Sequence, residues 1–348
     1  MLDFFRENAY TEYEVKRMRI ILDAFGGDLA PLEAIKGGRR AADKLGAEII
    51  LAGPGATIHS SAAEAKISLK GLELLEAPGV FEMHYEPQSI VKECGDTSMA
   101  VGLKALAEGK ADAFVSAGST GALIVGSTLI VKRIRGARRG AIGALLPSAS
   151  HPFLLLDAGA NAECSAEMLA HFAVLGSVYM QAVQGVDQPR VALANIGIEE
   201  NKGDALRQEA FRKLAENKQI NFVGNIEARE LPLGGCDVAV ADGFTGNMIL
   251  KLYEGMGKML AGKFKRVFTG NPLGILGLPF ALPGLLGLKK EMDYKEHGGA
   301  PILGIDGVVI KAHGSSDGGA FYHAVRQAKL CVEGEMVKKM KEMLEGRN

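Results

Sequence analysis

The sequence predicts an α/β protein in which helices cover both faces of a mainly parallel sheet, a three-layer α/β/α arrangement. Short apolar runs alternate with amphipathic helical patterns along nearly the whole chain, the order expected of repeated βα units. Six of the strand-like runs end in polar, glycine-lined turns, and in parallel sheets ligands bind beyond the carboxyl ends of the strands. With 348 residues, 47% hydrophobic and 23% charged, the chain can bury a large core.

The first strand is expected over 19–22. It ends in Asp23-Ala24-Phe25-Gly26-Gly27-Asp28, after which Pro31 opens a helix to Leu45. Glycines at such a turn let backbone N–H groups approach an anion, although a tight turn needs glycine anyway. GxGxxG is absent here, so this is not a dinucleotide fingerprint. Strands follow over 48–52 and 72–75, then a polar extended region, then a helix capped by Asp96 or Thr97 and running to Glu108. A strand over 112–116 leads into Ala117-Gly118-Ser119-Thr120-Gly121 and an apolar helix over 122–131. Small hydroxyl residues between glycines at a helix N-terminus suit a phosphate or carboxylate, and equally suit a plain cap. The basic run Lys132, Arg133, Arg135, Arg138 and Arg139 reads as a solvated helix end or as a docking patch for an acidic partner.

Two apolar segments, 141–146 and 153–156, come next, the second ending in Asp157-Ala158-Gly159-Ala160-Asn161 before a helix over 165–183. The most polar strand end follows residues 191–195. There Asn195 leads into Glu199-Glu200-Asn201-Lys202-Gly203-Asp204 and a helix over 205–215. A strand over 237–241 ends in Asp242-Gly243-Phe244-Thr245-Gly246-Asn247, and a long helix runs towards Phe268. The last strand, over 308–312, ends in His313-Gly314-Ser315-Ser316. Six polar strand ends would converge on one cleft with many hydrogen-bond donors, one lysine and one histidine.

Several function classes are excluded. Lys plus Arg total 40 against 41 Asp plus Glu, a net charge of -1, which gives no electrostatic case for nucleic acid. Cys94, Cys164, Cys236 and Cys331 are far apart and form no CxxC pair, as expected of reduced cytosolic thiols and not of a disulfide framework or a zinc site. A Walker motif and an HExxH helix are both missing. A site rich in anion donors but poor in protein nucleophiles suggests a substrate that brings its own, and inorganic phosphate fits, needing chiefly position and charge neutralisation. Residues 1–17 mix charges with aromatics and lack an apolar core, so they read as a leader or extension and not as a signal peptide.

The stretch PLGILGLPFALPGLLGL at 272–288 has no charge, but Lys263, Lys265 and Arg266 precede it and Lys289 and Lys290 follow. At 17 residues with three prolines and four glycines it makes a poor spanning helix. It is expected as an apolar loop at the tip of a protruding helical hairpin, an insertion over 255–298, that dips into an anionic membrane surface. A buried core segment is the alternative.

DAFGGDLAP at 23–31, SAGSTGAL at 116–123, LDAGAN at 156–161, NIGIEENKGD at 195–204, VADGFTGNMILK at 240–251 and KAHGSSD at 311–317 resemble the signature segments of the bacterial phosphate acyltransferase family. The resemblance covers the chain from Met18 to the C-terminal helix; Phe25 stands where the family usually has Met. It implies a fold akin to isopropylmalate dehydrogenases and phosphotransacetylases, with 18–348 as one acyltransferase domain. It also implies transfer of a long-chain acyl group from acyl carrier protein to inorganic phosphate. The acyl phosphate would pass to a downstream glycerol-3-phosphate acyltransferase of phospholipid synthesis. A cytoplasmic homodimer peripherally bound to the inner face of the cell membrane is implied, with no metal or nucleotide cofactor. On this resemblance Lys202 holds phosphate or stabilises the oxyanion, and Asn195, Asn247 and His313 polarise or orient the acyl group. Asp23, Gly27, Ser119, Thr120, Gly121, Asn161, Asp242 and Ser315 are the expected substrate-binding set. A phosphotransacetylase acting on short acyl-coenzyme A and a non-catalytic membrane scaffold are the rival readings.

Overall fold

A computed structural model describes residues 17–270, 272–292 and 298–346; residues 1–16 of the expected leader lie outside them. The N-terminal half contains β1 (Arg19–Asp23), α1 (Leu32–Leu45), β2 (Glu48–Gly53), α2 (Gly55–Glu64), β3 (Leu72–Glu76), α3 (Ser89–Lys92), α4 (Ser98–Ala107), β4 (Ala113–Ser116) and α5 (Thr120–Gly126). The apolar run after α5 continues as a π-helical turn, Ser127–Val131. Then come β5 (Ala141–Leu146), β6 (Phe153–Leu156), α6 (Ala166–Gln184), β7 (Arg190–Asn195), α7 (Ala205–Ala215), β8 (Asn221–Glu227) and β9 (Val238–Val240). The chain closes with α8 (Gly243–Thr269), α9 (Pro272–Met292), β10 (Ala300–Leu303), β11 (Val308–Lys311), α10 (Gly318–Glu333) and α11 (Met336–Glu345).

The strands form one sheet in the order β3-β2-β1-β4-β11-β10-β5-β6-β9-β7-β8. Its central strands, β1, β4, β6 and β9 among them, are buried on both faces, as expected of a parallel sheet covered by helices. Ile20 and Leu22 of β1, Leu154 and Leu156 of β6, and Val191 and Leu193 of β7 pack in the cluster beneath α1, α6 and α10. Their neighbours Ile21, Phe153, Leu155 and Ala192 point the other way, into the cluster that holds α4 and α5. The period-2 alternation of side chains thus supplies both cores from the same strands.

The sheet is not uniformly directed. β10 runs antiparallel to both β11 and β5, and β5 runs antiparallel to β6, while β1 to β4 with β11, and β6 to β9, are each internally parallel. Three reversals in succession turn β6, β7, β8 and β9 opposite to β1. The carboxyl ends of β1, β4 and β11 therefore lie at one edge of the sheet, and those of β6, β7 and β9 at the other. The single crevice expected from six strand ends is corrected accordingly: the ends form two groups, joined across the β5–β6 hairpin.

β8 and β10 were not expected as strands. β8 is a part-exposed edge strand, NFVGNIE, whose register with β7 shifts between Val191 and Leu193. β10 is the four-residue APIL with Pro301 inside. The apolar stretch at 272–288 is likewise corrected: it is not a loop at a hairpin tip but most of a helix, α9, with Pro279 and Pro283 inside it. Leucine-rich composition favours helix, and Pro272 occupies the first helical position, where no N–H is needed. α8 and α9 pack on each other. Among the described residues no helix is long and apolar enough to cross a membrane.

Candidate active site

At the first edge, Asp23 ends β1 fully buried and its carboxylate accepts from Ser98 Oγ at 2.7 Å and Ser116 Oγ at 2.6 Å. Burial raises the acid's pKa and these hydrogen bonds oppose the rise. Its role in the fold is to staple β1, α4 and β4 together. A Cβ on Gly26 would stand 2.5 Å from Asp23 Oδ2, so only glycine lets the chain turn there. Gly27 packs on Gly314, whose carbonyl accepts from Asp28 N at 2.9 Å; the loops after β1 and β11 therefore lie against each other. Ser119 caps α5 through Ala122 N, and a Cβ on Gly121 would meet Pro87 at 2.9 Å. His313 Nδ1 accepts from Ser315 N at 3.2 Å and lies 2.9 Å from Ser315 Oγ. A neutral ring then carries its proton on Nε2.

At the second edge, buried Asp157 accepts from Ile142 N at 3.0 Å and from Asn161 N at 2.7 Å. Asn161 donates Nδ2 to Gly140 O at 2.8 Å and to Asp157 Oδ2 at 2.9 Å, which fixes the turn after β6 on the start of β5. Asn195 donates to Lys202 O at 3.2 Å. The Lys202 ammonium stands 4.0 Å from Glu199 and its side chain is 47% exposed. Asp242 caps α8 through Thr245 N at 2.8 Å and pairs with Arg207, which also reaches Asp204 at 2.8 Å and Thr245 Oγ1 at 3.0 Å. Sequence reasoning missed Arg207, the cation that gathers this edge.

Between the edges lies a cavity of about 360 Å³. Ile142, Ala144 and Leu146 of β5 with Leu250 of α8 make its apolar wall. Its polar side chains are Thr120, Asn247, Lys251, Glu254, Lys311, His313 and Ser316. Of the expected site residues, Thr120, Asn247 and His313 line it; Asp23, Gly27, Ser119, Gly121, Asn161, Asn195, Lys202, Asp242 and Ser315 do not. Lys251, Glu254, Lys311 and Ser316 are additions. Lys251 could have been read from helical spacing, since it follows Asn247 by one turn of α8 on the same face. Lys311 ends an otherwise apolar strand, two residues before His313.

The two lysines differ in environment. Lys251 Nζ pairs with Glu254 Oε2 at 3.0 Å. Lys311 instead donates to two backbone carbonyls, Ala117 O at 3.4 Å and Ala312 O. Burial pushes its pKa down to about 8, helped by the like charge of Lys251 and opposed by Asp28 and Asp23. Burial raises the thiols of Cys164 to about 11 and of Cys236 and Cys331 to about 12; none lines the cavity, and none is an activated nucleophile. The site can therefore concentrate an anion beside an apolar wall, and among the described residues no cysteine lines it.

The sequence profile of the family described as "Fatty acid synthesis protein" matches residues 18–339, and the chain belongs to that family. A phosphate acyltransferase of Clostridium perfringens is 40% identical over 326 residues, covering 93% of this chain and 96% of the relative. One of Caldanaerobacter subterraneus is 42% identical over 333 residues, covering 94% and 98%. The expected membership of the phosphate acyltransferases, and with it an enzyme that transfers acyl groups to phosphate, is borne out. In fold the chain is similar to EutD phosphotransacetylase from Staphylococcus aureus, with TM-score 0.60, 17% identity and coverage of 90% and 94%. A phosphotransacetylase from Streptococcus pyogenes gives TM-score 0.61, 15% identity and coverage of 93% and 95%. The expected phosphotransacetylase-like fold is borne out.

Proposed function

We propose that the cavity transfers a long-chain acyl group from acyl carrier protein to inorganic phosphate. One observation carries this reading: two lysines, a histidine and hydroxyls share a cavity with the apolar β5 wall. Phosphate sits between Lys251 and Lys311 with the Thr120 hydroxyl, and the first methylenes of the acyl chain lie on Ile142, Ala144 and Leu146. A phosphate oxygen attacks the thioester carbonyl, and the developing oxyanion is met by Asn247 and by His313 Nε2–H. Charge stabilisation of this kind is usually the largest single contribution to such a reaction. The departing thiol has an ordinary pKa of about 8.5, which makes it a fair leaving group.

Lys202 stands outside the cavity wall, so phosphate is assigned to the other two lysines. Lys202 keeps its proposed oxyanion or phosphate role only if its loop is presented to a cavity, as in a homodimer. Exposed Arg135, Arg138 and Arg139 precede β5, which walls the cavity, and are proposed to dock the acidic carrier protein. The α8–α9 hairpin is proposed to rest on the inner face of the cell membrane. Its exposed Leu276 and Phe280 (70% and 87%) supply the apolar contact, and the acyl phosphate is handed there to a glycerol-3-phosphate acyltransferase.

The test is formation of acyl phosphate from palmitoyl carrier protein and phosphate. A chain-length series of carrier and coenzyme A thioesters separates this reading from its rival. Highest kcat/KM on short acyl-coenzyme A would establish a phosphotransacetylase instead, and no turnover on any donor would favour a scaffold.

A further inference from the structure

Acyl transfer to phosphate leaves a proton to be moved. Hydrogen phosphate dianion and a thioester become acyl phosphate dianion and a free thiol, so the proton on phosphate must end on sulfur. The cavity holds two lysines with different partners. Lys251 is held by the Glu254 carboxylate at 3.0 Å. Lys311 is held by two backbone carbonyls instead, Ala117 O and Ala312 O, which fix the ammonium in position. An ammonium has three donors; two point at these carbonyls and one is left for the cavity that Lys311 lines.

We propose that Lys311 is the catalytic acid of the transfer, giving its proton to the departing thiolate and regaining one from the phosphate group that has just been acylated. This rests on the phosphate acyltransferase reading of the cavity. The balance closes without another reactant. The phosphate O–C bond forms, the C–S bond breaks, and the sulfur keeps the bond pair and takes the Nζ proton. The neutral amine then accepts the hydroxyl proton of the acyl phosphate, whose acidity has risen on acylation. Lys311 is suited to both halves because its pKa of about 8 is close to that of a thiol. The charged groups acting on it are Asp23 at the end of β1, Asp28 in the loop after it and Lys251 on α8; His313 on its own strand end and Glu254 on α8 line the same cavity.

The experiment compares two palmitoyl thioesters, one of pantetheine and one of a thiophenol, whose more acidic thiol departs without proton help. With Lys311→Met, kcat on the pantetheine donor is expected to fall about 100-fold or more, the usual worth of a positioned acid. On the thiophenol donor the loss should stay under about tenfold, because a good leaving group needs little general acid. Wild-type kcat should fall as pH rises through about 8, and Lys311→Arg, which keeps the charge and fills the site, should lose that limb. Equal losses on the two donors, a loss confined to the KM for phosphate, or an unchanged alkaline limb in Lys311→Arg would each overturn the proposal. A wild type that makes no acyl phosphate from either donor would instead remove the functional reading beneath it.

Discussion

Lys251 and Lys202 make competing claims on the phosphate, and substituting each in turn decides between them. Lys251 lines the cavity; Lys202 is half-exposed on the loop after β7, 4.0 Å from Glu199. Removing one charge-assisted hydrogen bond to a bound anion costs about 1.5–3 kcal/mol, or about 10- to 150-fold in affinity. Lys251→Met should therefore raise the KM for phosphate by about that factor. The fold should suffer little, because the Lys251 side chain is more than half exposed and such an ion pair contributes about 0–1 kcal/mol. Glu254 is the complication, since only a tenth of its side chain is exposed and it would lose its partner. Lys251→Met combined with Glu254→Gln removes that orphaned charge and isolates the loss of phosphate binding.

The assay is initial-rate acyl phosphate formation at saturating donor over a phosphate series, with circular dichroism melts beside it. For Lys202→Ala the expectation depends on geometry alone: outside the cavity it should change the KM for phosphate less than threefold. Had it been the oxyanion partner, its loss would cost about 3–4 kcal/mol, or roughly 100- to 1000-fold in kcat. A folded Lys202→Ala enzyme with that deficit, beside a Lys251→Met enzyme with ordinary phosphate saturation, would refute the cavity assignment.

Other outcomes follow from the same geometry. Charge reversal at Arg135, Arg138 and Arg139 should raise the apparent KM for carrier-bound donor and weaken its salt dependence, with a much smaller change on acyl-coenzyme A; equal changes would make the patch a solvated turn. Phe280→Asp with Leu276→Asp, both at exposed positions of α9, should abolish flotation with anionic vesicles while activity on soluble donor persists; unfolding of the double variant would show that these side chains are core. Gly246→Ala should lower the melting temperature, because its Cβ would fall 1.8 Å from Asp157 O and overpacking of this kind costs about 1–3 kcal/mol or more; an unchanged melt would mean that α8 shifts freely against the turn after β6.

Much of the fold was legible because burial leaves a period in the sequence. β1, β6 and β7 are apolar on both faces, as covered strands must be, and Thr97, Ser165 and Asp204 cap α4, α6 and α7. Strand direction leaves no such trace: RIILD or FLLL reads the same whether its neighbour runs with it or against it. The reversals at β11–β10, β10–β5 and β5–β6 were therefore invisible, β10 being both short and interrupted by proline. The site inherited that blindness. Thr120, Asn247 and His313 were found because each sits at a strand end or helix start, where polar residues are conspicuous. Lys311 and Lys251 were passed over because one closes a buried strand and the other lies a full turn inside a helix. Only the reversed sheet brings them together, since it carries the loop after β11 and the helix after β9 to one cavity on the β5 face. A strand end identifies a polar side chain, whereas the direction of its neighbours decides which other polar side chains it meets. Lys202 illustrates the second half of that rule: the most conspicuous lysine in the sequence ends beside Glu199 at an open edge, while the least conspicuous one lines the cavity.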